Sequence, residues 1–286
     1  MYSNLSDIEK KLTAHVSKTL ALYTKRSPRE TASALLSWKR AQDLYDEMVS
    51  SIGPLKGKRL LEIGCGYGLF LTICLNNGVK AEGIEPASQE FYKFTFNIGK
   101  EILKRSRHSK RLIKNSCGEK LPYKNSTFNA VVSLYTLEHV QNVEKVLSEC
   151  SRVLKKGGYL YIVVPNYGSF WEGHYGIPWI PYLPKSMARL YVRLYGKLPN
   201  AIDELQFVNQ ITLEKILKSK PVKVKTWGAA SFVKQVQDTS LSGGTLGSAK
   251  RILDILRYLG ILKFTAHMAC FVKAQTPIIL VAEKVS

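Results

Sequence analysis

Apolar positions in the first fifty residues recur at helical spacing. Leu5, Ile8, Leu12, Val16 and Leu20 lie three or four residues apart, and Ser6 with Glu9 supplies a capping-box signal. Ser27, Pro28 and Glu30 repeat a start signal ahead of Trp38, Ala41, Tyr45, Met48 and Ile52, so two amphipathic helices are predicted over an edge of the core. From Arg59 the pattern changes. Short apolar runs, "RLLEIG", "AEGIEP", "RLIKNS", "FNAVVSLYTL" and "GYLYIVVPN", alternate with helical stretches at 68–77, 87–105 and 142–154. Strands buried on both faces and separated by helices predict a doubly wound α/β fold around a mostly parallel sheet. "VKVKTW" (222–227) and "TPIILVAEKV" (276–285) complete seven strands, with an antiparallel strand expected at the edge and a helix over 248–264 before the last strand. The expected division is a helical extension over 1–54 and an α/β domain over 55–286, with insertions at about 167–212 and 228–275.

Composition narrows the class. The 286 residues, 45% hydrophobic and 22% charged, suit one large folded domain and exclude a disordered chain. The net charge of +20 is the unusual quantity. It attracts polyanions, so nucleic acid, an anionic membrane surface or a phosphorylated substrate are all admissible partners. Basic residues concentrate in "KEILKRSRHSKRLIK" (100–114), although any one such run reads more simply as a solvated helix face. Cys65, Cys74, Cys117, Cys150 and Cys270 form no CxxC pair and have no metal-ligand spacing, so neither a disulfide scaffold nor a metal site is expected. "MYSNLSDIEKKLTAH" has no uninterrupted apolar core, and no stretch approaches the ~20 apolar residues of a membrane span. A cytoplasmic protein is expected, with membrane contact at most peripheral.

Chemistry enters at "LLEIGCGYGLF" (60–70), where a strand, a glycine-rich turn and a helix start follow in succession. Gly64, Gly66 and Gly68 permit positive φ and close approach of a ligand to backbone N–H groups, though a tight turn without a ligand has the same signature. Glu85 ends the next strand, where a carboxylate in a nucleotide-binding α/β fold accepts ribose hydroxyls. Further along come "GEKLPYKNSTFNAVVSLYTLEHV" (118–140) and "RVLKKGGYLYIVVPN" (152–166). With these blocks in order, residues 55–166 resemble the class I S-adenosylmethionine-dependent methyltransferases of the small-molecule branch, which have a Rossmann-like sheet.

The resemblance implies S-adenosyl-L-methionine as cofactor. Glu62 and the Gly64–Gly68 turn would face its methionine part, and Glu85 its ribose. The turn of Cys117, Gly118 and Glu119 would border the adenine, and Leu134 and Tyr135 would line the methyl path. Two departures stand out: Cys117 occupies a position commonly acidic, and Asn129 replaces the usual Asp before the fourth strand. Methyl transfer is an in-line displacement in which alignment is worth ~7–11 kcal/mol. A base is needed only when the acceptor must lose a proton, and His suits that role with an unperturbed pKa of about 6.5. The candidates are His139, in "LEHV", and His174, just beyond the fifth strand.

His174 lies in "FWEGHYGIPWIPYLP" (170–184), at the sheet edge where open α/β folds place ligands. Trp171, Glu172 and Tyr175 are expected to form the acceptor wall, with Trp179 and Tyr182 packed beneath the following helix. This segment also resembles, less specifically, methyltransferases of surface-polysaccharide and lipid-linked glycan synthesis. That implies O-methylation of a small molecule or glycan, a sugar or lipid-linked saccharide above all, at an anionic membrane surface. An RNA methyltransferase is the alternative the charge permits, although the Asp/Asn-Pro-Pro-aromatic tetrad of amino-methylating enzymes does not follow strand four. A non-catalytic binding protein that keeps the fold is the third reading.

Overall fold

The computed structural model describes residues 5–19, 27–88, 90–238 and 249–286. Leu20 and the predicted helix start at Ser248 lie outside them. In chain order the strands are β1 (Arg59–Ile63), β2 (Lys80–Glu85), β3 (Ile113–Asn115), β4 (Phe128–Leu134), β5 (Leu154–Val164), β6 (Trp171–Glu172), β7 (Ile177–Pro178), β8 (Val222–Thr226) and β9 (Ile278–Lys284). Seven form one sheet in the order β3-β2-β1-β4-β5-β9-β8, while β6 and β7 make a separate hairpin. The first five strands of the sheet are parallel. Contrary to the sequence expectation, the antiparallel strand is not at the edge: β9 runs against β5 from inside the sheet, and β8 covers its outer side. The seven-residue β9 is almost wholly buried, whereas β8 has alternating exposed lysines, a composition suited to an edge.

Side chains alternate between two cores. Leu60, Val132, Tyr161, Val163 and Ile279 point to one face, covered by α1 (Ser6–Lys18), α2 (Pro28–Leu35), α3 (Trp38–Ile52), α4 (Leu69–Asn76) and α5 (Glu90–Arg105). Leu61, Val131, Leu160, Ile162 and Leu280 point to the other, under α6 (Val143–Val153), while α7 (Lys185–Leu194) and α8 (Asn200–Glu204) close a smaller cluster and α9 (Gln210–Leu217) joins the α6 side. This is the doubly wound arrangement, with period-two burial serving both layers. The last insertion carries α10 (Ala229–Gln237), α11 (Lys250–Tyr258) and α12 (Leu262–Phe271), which share a fourth cluster. Among the described residues no helix is long and apolar enough to cross a membrane.

Three local expectations are corrected. The capping box at Ser6 and Glu9 does not form: Leu5 is the cap residue, buried in the core, and makes no side-chain capping bond. The helix expected after Ser27 is two, broken where buried Leu36 ends one turn and the Ser37 hydroxyl accepts the Arg40 N–H at 3.2 Å. The capping box at Ser27 and Glu30 does form. The helix expected over 248–264 is split by Gly260, whose φ of 70° is left-handed, into α11 and α12.

The two-sided core makes a direct prediction. Leu160→Ala, at a fully buried position on β5, should lower the unfolding free energy in urea by about 2–5 kcal/mol. Lys223→Ala, on the exposed edge strand, should change it by less than about 0.5 kcal/mol.

Candidate functional site

The carboxyl ends of β1 and β4 are neighbours, and the chain leaves them toward opposite sides of the sheet. Such a switch point opens a crevice. On its β1 side the backbone turns through Gly64, Gly66 and Gly68, and Gly68 caps α4. A β-carbon at Gly64 would lie 2.3 Å from Thr136 Cγ2, so the turn packs directly on the β4 loop. A β-carbon at Gly66 would meet nothing within 4 Å, so its backbone faces open space. Gly66 N–H donates to Glu85 Oε2 at 2.9 Å, tying the end of β2 to the turn.

Two carboxylates meet under this turn. Glu62 is buried, and its Oε2 has no hydrogen-bond partner among the described residues. Burial, then the neighbouring Glu85, raises its pKa well above the usual carboxylate value. Burial likewise pushes Glu85 up to about 7, against the pull of the Gly66 N–H. An orphaned buried oxygen beside an open glycine backbone suits a ligand that brings positive charge and hydroxyl donors.

The rest of the rim comes from two turns and one helix. Cys117 is exposed, Gly118 is buried against Val146, and Glu119 Oε1 accepts the N–H groups of Gln141 and Asn142 at 2.8 and 3.2 Å. Glu119 therefore clamps the loop after β4. Leu134 ends β4, and Tyr135 follows with a φ of 54°, an uncommon conformation for a bulky residue, held by its N–H to the Val163 carbonyl. The Arg40 guanidinium of α3 stands 4.9 Å from the centre of the Tyr135 ring, which brings the N-terminal helices to the same mouth. Asn129 is structural: its Oδ1 accepts the Arg59 N–H.

A second polar cluster sits against the loop that follows β4. Glu172, buried in the β6–β7 hairpin, accepts His174 Nδ1–H at 2.7 Å and Tyr167 O–H at 3.3 Å on Oε1, and the Tyr175 N–H at 2.7 Å on Oε2. Burial disfavours both charged forms, but the pair's mutual attraction outweighs it: His174 is held above its usual pKa and Glu172 below. With Nδ1 committed to the carboxylate, His174 Nε2 is left for chemistry. His139 meets His174 edge-on, with ring centres 5.9 Å apart. It keeps an edge open to solvent while desolvation, then His174, holds its pKa below the usual value.

Sequence reasoning thus anticipated residues that the fold brings together, His139 and His174 on one side and Glu62 and Glu85 on the other. It missed Glu138, which is buried with Oε2 unpartnered among the described residues and raised to about 7 by burial. Donor atoms of Glu138, His139 and His174 lie within 4.8 Å of one another. The signal was present in "LEHV", but the motif drew notice to its histidine. Arg40 and Tyr167 also join the site without a sequence signal, because only tertiary packing delivers them. Trp171 stays half-buried on β6. Tyr175, expected on the acceptor wall, is instead core: its ring is fully buried and its hydroxyl donates to the Leu198 carbonyl at 2.9 Å. Trp179 packs among Tyr167, Tyr191 and Phe207 as expected, whereas Tyr182 has a φ of 61° and stays exposed.

Comparison with known proteins bears on this geometry. A family model described as a methyltransferase domain matches residues 37–219. The chain is 31% identical over 121 residues to a ubiquinone biosynthesis O-methyltransferase of Rhizobium rhizogenes, covering 41% of this chain and 44% of that protein. It is 34% identical over 100 residues to a sterol 4-C-methyltransferase of Caenorhabditis elegans, covering 34% and 28%. The chain spans less than half the length of these curated relatives. In fold it is similar to a geranyl diphosphate methyltransferase solved with S-adenosylmethionine, with a TM-score of 0.54 at 16% identity over 98% of this chain and 91% of that one. A phosphoethanolamine N-methyltransferase of Haemonchus contortus, also solved with S-adenosylmethionine, gives a TM-score of 0.53 at 17% identity over 87% and 53%. The orphaned Glu62 oxygen and the open glycine turn fit that cofactor, which carries an ammonium group and a ribose. The chain belongs to the methyltransferase domain family and has the fold of the class I S-adenosylmethionine-dependent methyltransferases.

Proposed function

We propose that the protein methylates a hydroxyl of a small-molecule acceptor, a sugar or lipid-linked saccharide. The observation that carries this is the buried Glu172 carboxylate fixing His174 at the rim of the cofactor crevice. S-adenosylmethionine supplies an electrophilic methyl group on a sulfonium centre. Glu62 and the Gly64–Gly68 turn would hold the methionine end, Glu85 the ribose, and the 117–119 turn the adenine edge. Leu134 and Tyr135 line the methyl path and Trp171 forms the acceptor wall, while Glu172, expected on that wall, is buried behind it with both oxygens engaged, and Tyr175 supports it from below. Glu172 orients the His174 ring, and Nε2 takes the proton as the acceptor oxygen attacks. His139, kept neutral, positions that oxygen. An oxygen acceptor is also supported by the O-methyltransferases among the relatives.

Incubation with methyl-labelled S-adenosylmethionine and separate pools of lipid-linked saccharide, free sugar and RNA should place label in the saccharide pools. Label in RNA alone would refute the proposal. The pair also sets a pH dependence. Because His174 is raised above about 6.5 and must be deprotonated to act, activity should climb as pH rises through that higher value and then level off. Glu172→Gln removes the stabilising charge. It should move the acid limb to lower pH and cut the plateau rate about 10²-fold, with ring resonances of His174 in NMR titration moving the same way. An unmoved midpoint would remove the pair from the mechanism.

The spacing of Glu138, His139 and His174 supports a second reading, a divalent cation that activates the acceptor hydroxyl, with Glu172 orienting His174 as a ligand. Turnover that is abolished by EDTA and restored by Mg²⁺ or Zn²⁺ would favour it. Full turnover in EDTA would leave His174 as the base.

A further inference from the structure

We propose that α7, α11 and α12 form a docking face for an anionic phospholipid bilayer, a property independent of which acceptor is methylated. Each helix is apolar on two sides. On α7, Ala188 and Val192 face the core, while Met187, Leu190 and Leu194 form an outer stripe, with Leu194 77% exposed. On α11, Ile252, Ile255 and Tyr258 stand outward, as does the cap residue Leu259, and Tyr258 is 90% exposed. On α12, Leu262 and Ala266 pack inward, whereas Phe264, Met268 and Phe271 project, Phe271 at 81% exposure. A helix covering a domain normally turns charge to water on this side. Helical spacing of the outward residues makes organised stripes rather than scattered exposure.

Topology roots the segments that carry these stripes at one end of the sheet. The acceptor loop and α7 follow the carboxyl end of β5, and β9, being antiparallel, begins at that same end, with Val164 opposite Ile278. The chain between α12 and β9 is tied to the loop root: the Asn166 side-chain amide donates to the Lys273 and Gln275 carbonyls at 2.9 and 2.8 Å. Both segments therefore rise from the edge that carries the glycine turn and His174.

Charge selects the occupant. Residues 185–198 contain Lys185, Arg189, Arg193 and Lys197 and no acidic residue, and residues 249–273 contain Lys250, Arg251, Arg257, Lys263 and Lys273 against Asp254 alone. Apolar stripes rimmed by cations match an interface of acyl chains beneath anionic headgroups. A second copy of this chain would set cation against cation, and a nucleic acid backbone gives Ile255, Leu190 or Met268 nothing to bury against.

Co-sedimentation of the full chain with vesicles tests the proposal. Wild type should pellet with phosphatidylcholine vesicles containing phosphatidylglycerol, bind pure phosphatidylcholine at least about tenfold more weakly, and be released by salt. The Ile255→Glu/Phe264→Glu/Phe271→Glu variant and, separately, Lys250→Glu/Arg251→Glu should each weaken binding about tenfold or more, with far-UV circular dichroism unchanged. Lys58→Glu/Lys80→Glu removes the same charge at the amino edge of the sheet and should bind as wild type. The proposal fails if wild type ignores anionic vesicles, if the amino-edge variant loses as much binding as Lys250→Glu/Arg251→Glu, or if the face proves to be occupied by a second copy in light scattering.

Discussion

The site depends on how β1 is paired. This strand lies between β2 and β4, and successive crossovers carry the chain outward through β2 and β3 before it returns to β4 on the other side. Parallel strands force every connection to return along a face, so loops after β1 and β4 must diverge. The crevice between them is a consequence of that reversal rather than a feature added to the fold. Glycine is required where the two loops nearly touch, since Gly64 packs on Thr136, and backbone is left open at Gly66 for a ligand. The core on both faces of the sheet holds these strand ends fixed, as alignment of donor and acceptor requires.

Electrostatics at the crevice run against the molecule as a whole. The chain carries a net charge of +20, yet Glu62, Glu85, Glu138 and Glu172 are all buried around one edge. Glu172 has a charge partner in His174 and falls below the usual carboxylate range, while the other three are pushed up by burial. Desolvated carboxylates of this kind favour any bound group that brings positive charge or donors. A cationic methyl donor is such a group. The basic exterior and the acidic recess thus differ in sign, and the recess is the one suited to a cationic ligand.

Much of this was legible in the sequence, for reasons visible in particular residues. The glycine turn and Glu85 announce themselves because backbone conformation and ribose chemistry tolerate few alternatives, and alternating runs such as "FNAVVSLYTL" report burial on two faces directly. Features set by tertiary contact were harder to read. The break at Leu36 and Ser37 preserves helical periodicity on both sides, so spacing alone does not reveal it. Strand direction at β9 leaves no mark in a run whose first five residues are all apolar. Tyr175 looks like a pocket residue by its neighbours, yet the hairpin turns its ring into the core to reach the Leu198 carbonyl. Glu138 resembles a solvated turn residue until the 206–208 segment covers it, with Gln206 N–H bonded to its carbonyl.

The cofactor seat we propose is the Gly64–Gly68 turn, with Glu62 beneath it and Glu85 beside it. Isothermal titration with S-adenosylhomocysteine tests it most directly. One molecule should bind per chain, and Glu85→Ala should weaken binding by about tenfold or more through loss of the ribose contact. Unchanged affinity in that variant, or no binding by the wild-type protein, would contradict the account.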